Sequence, residues 1–67
     1  MYSLVGVDGN AFSVMGYTAK AMKEAGLDDE VAKMRKEAMS GDYDHLLCVC
    51  SDWIDIVNEK LGLEEED

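Results

Sequence analysis

The stretch from Asp42 to Leu61 constrains the fold of this chain more than any other part of the sequence. Its apolar side chains recur at the three- and four-residue spacing that places them on one side of an α-helix, over about five turns. These apolar residues are Tyr43, Leu46, Leu47, Cys50, Trp53, Ile54, Val57 and Leu61. The sequence therefore predicts a long amphipathic helix that supplies the largest apolar surface of a small core.

Two shorter helical patterns precede this stretch. The first runs from about Ala11 to Ala25, with Asn10 or Asp8 available to cap its free amides and Gly26 to end it. The second opens at Asp28, as its cap, and continues to about Met39. The predicted apolar stripe of the first helix is Phe12, Met15, Ala19 and Met22, and that of the second is Val31, Met34 and Ala38.

The run from Tyr2 to Val7, YSLVGV, favours a short β-strand, because it is rich in β-formers and too short for a helix. No second strand is evident in the sequence, so this strand would either pack as an extended arm or pair with the same strand of another copy. The second alternative predicts a homodimer through Tyr2–Val7. The expected fold is mainly α: a small three-helix bundle preceded by one short N-terminal β-strand. Residues 1–63 would form a single helical domain and residues 64–67 a disordered acidic tail.

The charge of the chain is concentrated in its last third. Residues 1–41 carry six acidic and five basic residues, whereas residues 42–67 carry nine acidic residues and one base, Lys60, within a net charge of −9. Such a surface repels nucleic acid and anionic membranes. Without a signal-like segment or a long apolar run, we expect a protein that contacts neither nucleic acid nor membrane directly and stays in the compartment where it is made, a cytosolic one.

Cysteine and histidine residues within the long helix raise the question of a metal site. Cys48 and Cys50 point to nearly opposite sides of a helix and cannot bridge each other, so reduced thiols in a cytosolic setting are expected. His45 and Cys48 are three residues apart, with Asp44 and Asp52 flanking them, and imidazole and thiolate at that spacing can chelate zinc. A closed zinc site needs four ligands, and we favour a half-buried thiol beside a surface histidine, with no metal and no cofactor.

Enzymatic activity is not expected. A Cys–His nucleophile pair would also need an orienting group, an oxyanion hole and a cleft, which a chain of 67 residues scarcely supplies. The spacing of Gly6 and Gly9 is not a phosphate-binding loop, because the lysine and the hydroxyl residue that such a loop requires are missing.

The acidic side of the long helix is the strongest candidate for a functional surface. Asp44, Asp52, Asp55 and Glu59 recur at helical spacing. One interpretation is a solvated face that keeps a small protein soluble. The other is a partner-binding surface that docks on a basic groove, with carboxylates where phosphates would otherwise lie. Trp53 joins these candidate partner-binding residues, because a partly exposed tryptophan is a strong anchor in protein interfaces.

Two runs of the sequence resemble those of a known group of proteins. VGVDGNAFSVMG (Val5–Gly16) and AMSGDYDHLL (Ala38–Leu47) are similar to runs in short uncharacterised proteins of phages, prophages and other bacterial mobile elements, which pair a GVDGNAF opening with an SGDYDHLL middle. The resemblance implies a mobile-element context in a bacterial cytoplasm. It brings no catalytic residues with it.

These observations lead to two hypotheses about function. The first is a small acidic, non-enzymatic protein-binding module that docks through its third helix. In its most specific form, this module is an inhibitor that occupies a basic nucleic-acid-binding surface of a host defence protein, as anti-CRISPR proteins do. The alternative is a structural or accessory phage protein that works as a homo-oligomer.

Overall fold

Three α-helices and a short 3₁₀ turn make up the fold in the computed structural model, which describes residues 1–63. Helix α1 spans Ala11–Glu24, the 3₁₀ turn spans Asp28–Glu30, α2 spans Val31–Ala38 and α3 spans Tyr43–Leu61. The mainly helical fold is thus confirmed. The expected disordered tail, residues 64–67, lies outside the described residues.

The core lies where α1 and α2 pack against α3. Met22 of α1, Met34 of α2 and Val57 of α3 are completely enclosed. The other buried apolar residues are Val14, Met15, Ala19, Ala21, Ala25, Ala38, Leu46, Val49, Cys50 and Ile54. Methionine suits such a core, because its unbranched side chain fills the irregular space between short helices.

Side chains predicted from the sequence cap two of the helices. The Asn10 side chain accepts hydrogen bonds from the amides of Phe12 and Ser13 at the start of α1. The carboxylate of Asp42 accepts one from the His45 amide, at 2.9 Å, at the start of α3. Each bond satisfies an amide that has no partner within its own helix, a contribution of about 1 kcal/mol per cap.

Two details of the helices differ from the sequence prediction. Asp28 does not cap α2: it begins the 3₁₀ turn, and α2 starts three residues later, at Val31, without a side-chain cap. Phe12 has the periodicity of the inward stripe of α1 but is 74% exposed. The buried side of α1 includes Val14, Thr18 and Ala21, and Phe12 points away from these residues.

The N-terminal β-strand predicted for Tyr2–Val7 is wrong, because within residues 1–63 the chain forms no strand. Gly6 adopts a left-handed φ of 84° and the Val7 amide donates to the Leu4 carbonyl at 3.2 Å, so the chain turns where a strand would extend. Pairing of two copies through this segment loses its basis, since the segment presents no strand edge.

The side chain of Asn58, on α3, takes the place of a neighbouring strand for Tyr2. Its Oδ1 accepts from the Tyr2 amide and its Nδ2 donates to the Tyr2 carbonyl, both at 2.8 Å. The Tyr2 ring meets Tyr17 edge to face at 5.9 Å, and the Tyr17 hydroxyl accepts from the Ser3 amide. Side chains of α1 and α3 therefore bond the amide and carbonyl of Tyr2 and the amide of Ser3.

The longest helix is α3, and it carries charged residues along one side. Within residues 1–63, no helix has the length and hydropathy of a membrane span.

Candidate protein-interaction surface

One side of α3 carries a row of four exposed carboxylates. Asp44, Asp52, Asp55 and Glu59 are all exposed, and their spacings of eight, three and four residues place them on the same side of the helix. We call these four residues the acidic stripe. With a rise of 1.5 Å per residue, the acidic stripe is about 22 Å long.

The acidic stripe adds no stabilising hydrogen bond within residues 1–63. The carboxylates that accept hydrogen bonds within residues 1–63 are those of Asp8 and Asp42, both next to helix starts. Asp52 and Asp55 are three residues apart, and Asp55 and Glu59 are four apart, spacings at which like charges destabilise a helix by about 0.2–0.5 kcal/mol per pair. These residues therefore lower the stability of α3 slightly.

The opposite side of α3 holds the acidic stripe in place. Leu46, Cys50, Ile54 and Val57 are each at most 5% exposed and pack into the core. A surface on a helix that is fixed in this way loses little conformational entropy when a partner binds, which favours affinity.

Trp53 does not lie in the acidic stripe. It follows Asp52 in the sequence and so projects about 100° further around the helix. Its side chain is half-buried and packs against the core cluster. Trp53 thus lies on a different side of α3 from the acidic stripe, and its role in partner binding stays a prediction.

His45 contributes to the junction between α2 and α3. Its Nε2 lies 2.9 Å from the carbonyl oxygen of Glu37, in the last turn of α2, and 3.1 Å from the hydroxyl of Ser40. A carbonyl oxygen only accepts, so Nε2 carries a proton and donates. Ser40 donates to the same carbonyl at 2.6 Å. His45 therefore closes the end of α2, and its Nε2 is not free to bind a metal.

The two cysteines differ in environment as the helix geometry predicts. Cys48 is exposed and lies four residues from both Asp44 and Asp52, within the side of the helix that bears the acidic stripe. Cys50 is buried, and burial raises the pKa of its thiol, although a hydrogen bond with Thr18 acts in the opposite direction. Within residues 1–63, no group of three His, Cys, Asp or Glu side chains is arranged to hold a metal ion.

A second surface feature escaped the sequence prediction. Phe12, Met39 and Tyr43 are 74%, 61% and 40% exposed and border one apolar groove of about 260 Å³. The groove lies where the start of α1, the end of α2 and the start of α3 meet, and we call it the Phe12 groove. The complete lining is Ala11, Phe12, Met15, Ala38, Met39, Gly41, Asp42, Tyr43 and Leu46.

One feature of the sequence pointed toward this groove. Tyr43 directly follows the cap Asp42, and Phe12 is the second residue after the cap Asn10, so both are in the first turn of a helix. Only the structure shows that the two helix starts meet, with the Tyr43 hydroxyl donating to the Gly9 carbonyl.

Neither the models of protein families, nor the curated proteins, nor the solved structures contain a match to this chain.

Proposed function

We propose that this chain is a non-enzymatic protein-binding module whose acidic stripe docks on a basic surface of a partner protein. The observation that carries the proposal is a row of exposed carboxylates on a helix whose other side is fixed in the core. Among residues 1–63 those carboxylates accept no hydrogen bond, and their mutual repulsion acts against the helix.

Electrostatic complementarity explains what such a row can do. Charges of one sign along about 22 Å of a rigid helix attract a surface of the opposite sign and increase the rate of encounter. The one base of α3, Lys60, follows Glu59 at the end of the row. A basic groove that accepts nucleic acid would meet carboxylates where it otherwise meets phosphates.

The sharper form of the proposal is competitive inhibition. In this form the chain occupies the nucleic-acid-binding surface of a host defence protein, in the manner of anti-CRISPR proteins. The support for it is the resemblance of Val5–Gly16 and Ala38–Leu47 to runs in phage and mobile-element proteins, together with the acidic stripe.

Co-purification from a bacterial host tests the proposal. The tagged chain is used to recover partners at about 0.1 M salt, and the bound material is then washed at about 1 M salt, which shortens the Debye length from about 10 Å to about 3 Å. We expect a basic protein that is retained at low salt and released at high salt. If that protein binds DNA or RNA, a mobility-shift assay should show displacement of the nucleic acid by the chain.

Recovery of the chain alone, with a solution mass of two or more copies, would contradict the proposal and favour the homo-oligomeric alternative. Sedimentation equilibrium of the purified chain measures that mass directly.

A further inference from the structure

We infer that a cavity between the N-terminal segment and α3 receives an arginine side chain from the basic surface of the partner protein. The cavity has a volume of about 300 Å³, and residues 1–5 line one side of it. The residues of α3 that line the other side are Ser51, Ile54, Asp55 and Asn58. We call this cavity the arm pocket. The inference rests on the proposed function, since it assumes a basic partner, and it names the position at which that partner places a cation.

Asp55 connects the arm pocket with the acidic stripe. It belongs to the stripe, lines the pocket and is exposed. Within residues 1–63 its carboxylate accepts no hydrogen bond, and the amino group of Met1, which also lines the pocket, donates to no carboxylate. Asp52 and Glu59, three residues before and four residues after Asp55, add to the negative potential at this position. The carboxylate of Asp55 is therefore available to a cation of the partner.

The hydrogen-bond acceptors of the arm pocket favour a guanidinium group over an ammonium group. Asp55 supplies two carboxylate oxygens and Ser51 a hydroxyl. On the opposite side, the carbonyl oxygens of Ser3 and Val5 receive no hydrogen bond from residues 1–63. Arginine has five N–H donors in a planar fork and can pair with a carboxylate through two parallel bonds, whereas lysine has three donors on a single nitrogen.

Apolar residues of the arm pocket suit the stem of an arginine. Ile54 is 4% exposed and Leu4 is half-buried, so both present fixed apolar surface. The methylene groups of arginine pack on such surface while the charged end stays near water. Met1 and Val5, which are 68% and 91% exposed, also line the pocket. A docked partner covers these two side chains, which excludes water from the ion pair and strengthens it.

The size of the arm pocket suits one side chain of a larger partner. Its volume of about 300 Å³ is at the lower end of the range of about 300–1,000 Å³ typical of small-molecule pockets. A second copy of the chain fits less well, because each copy carries a net charge of −9.

Three short capped alanine peptides that differ in their central residue test the inference. The central residue is arginine in the first peptide, lysine in the second, and citrulline, an uncharged analogue of arginine, in the third. Binding to the full chain is followed at low salt by amide chemical shifts. The protein variants are Asp55→Asn, which removes the charge of the pocket, and the matched control Asp52→Asn, which removes one charge of the acidic stripe outside the lining.

We expect the arginine peptide to shift the amides of residues 2–5, Ser51 and Asn58 until they saturate. Asp55→Asn should weaken its binding at least about fivefold, and Asp52→Asn at most about twofold. Both variants should keep their helical content in circular dichroism, because both positions are exposed. The inference is overturned if the arginine peptide shifts none of these amides, if the lysine or citrulline peptide binds as tightly, or if the two substitutions weaken binding equally.

Capture of the partner separates the inference from the proposed function. A third variant replaces Asp44, Asp52 and Glu59, the stripe residues outside the lining, with lysine. If this variant loses capture while Asp55→Asn retains it, the inference fails and the proposed function stands. If Asp55→Asn loses capture while the third variant retains it, the arm pocket stands and the proposed role of the acidic stripe fails.

Discussion

The inward and outward sides of α3 use their polar residues in opposite ways. On the inward side, Asn58 is 2% exposed and both ends of its amide are bonded to the backbone of Tyr2. On the outward side, Asp52 and Asp55 are exposed, and within residues 1–63 neither carboxylate accepts a hydrogen bond. A polar side chain whose hydrogen bonds are already made within the fold is therefore a poor candidate for a binding site, whereas an exposed one without such bonds is a good candidate.

His45 is another polar residue whose hydrogen bonds lie within the fold. Its residue type suggested a metal ligand or a catalytic base, but its Nε2 donates to the Glu37 carbonyl at the end of α2. The residues left for interaction are those of the acidic stripe.

The largest expected effect on stability comes from Asn58. Asn58→Ala removes two hydrogen bonds and leaves the amide and carbonyl of Tyr2 without their partner, so the free energy of unfolding should fall by about 2–3 kcal/mol. Thermal unfolding followed by circular dichroism measures the change. For a chain of this size, each kcal/mol corresponds to about 4–8 °C in the melting temperature.

Ser51→Ala is the matched control for this change, because Ser51 is an exposed polar residue on the same helix. Its effect should stay within about 0.5 kcal/mol. An equal effect of the two substitutions would remove the distinction between inward and outward polar residues.

Gly41→Ala should have the next largest effect. A Cβ atom at this position would lie 2.8 Å from Cγ of His45, whose ring is held by the end of α2. We expect a loss of about 1–3 kcal/mol from this overpacking. A double-mutant cycle with His45→Gly measures it by chemical denaturation, since removal of the whole side chain, including its Cβ atom 2.9 Å away, also removes the clash and the two losses should not add. Strict additivity would show that His45 does not restrict position 41.

The smallest expected effect on stability is the pH dependence that comes from Cys50. Because burial raises the pKa of Cys50 above its ordinary value of 9.0, the unfolded chain loses this proton first as the pH rises. The contribution of Cys50 to stability is therefore full below about pH 9 and is lost as the pH rises through the raised value. Melting temperatures at neutral and alkaline pH should show a smaller alkaline loss in Cys50→Ala than in the unchanged chain.

Thiol labelling gives an independent readout of the same difference. Cys48 is exposed and Cys50 is buried, so the native protein should react rapidly at Cys48 and at Cys50 only after denaturation. Equal labelling rates in the native protein would contradict the burial of Cys50.

Residues close together in the sequence determined the parts of the fold that could be predicted. The apolar spacing of α3 and its cap Asp42 are local, and so are the cap Asn10 of α1 and the spacing of the acidic stripe. The N-terminal segment was different: its β-forming residues suggested a strand, but Gly6 turns the chain, and the partner of Tyr2 is Asn58, at the other end of the sequence.

The Phe12 groove could not be predicted for a related reason. Helical periodicity places Phe12 with Met15 and Met22, but the buried side of α1 also includes Val14 and Ala21 and leaves Phe12 exposed. Which side of α1 is covered depends on how α2 and α3 pack against it, which is a property of the packed molecule. The same packing joins Met39 and Tyr43 to Phe12.

The most direct test of the central claim compares two variants of equal charge. In one, Asp52, Asp55 and Glu59 are replaced by lysine, which reverses most of the acidic stripe. In the other, the exposed residues Glu24, Asp29 and Glu37, which lie on three different elements, are replaced by lysine. Each replacement adds two charges, so both variants change the net charge from −9 to −3.

Capture of the partner by the two variants is the measurement, with thermal unfolding recorded on the same samples. The account predicts that the stripe variant loses capture without a loss of melting temperature, while the scattered variant retains capture. Equal capture by both variants would contradict the claim that the acidic stripe is a docking surface, and it would leave that row of carboxylates as a solubilising face.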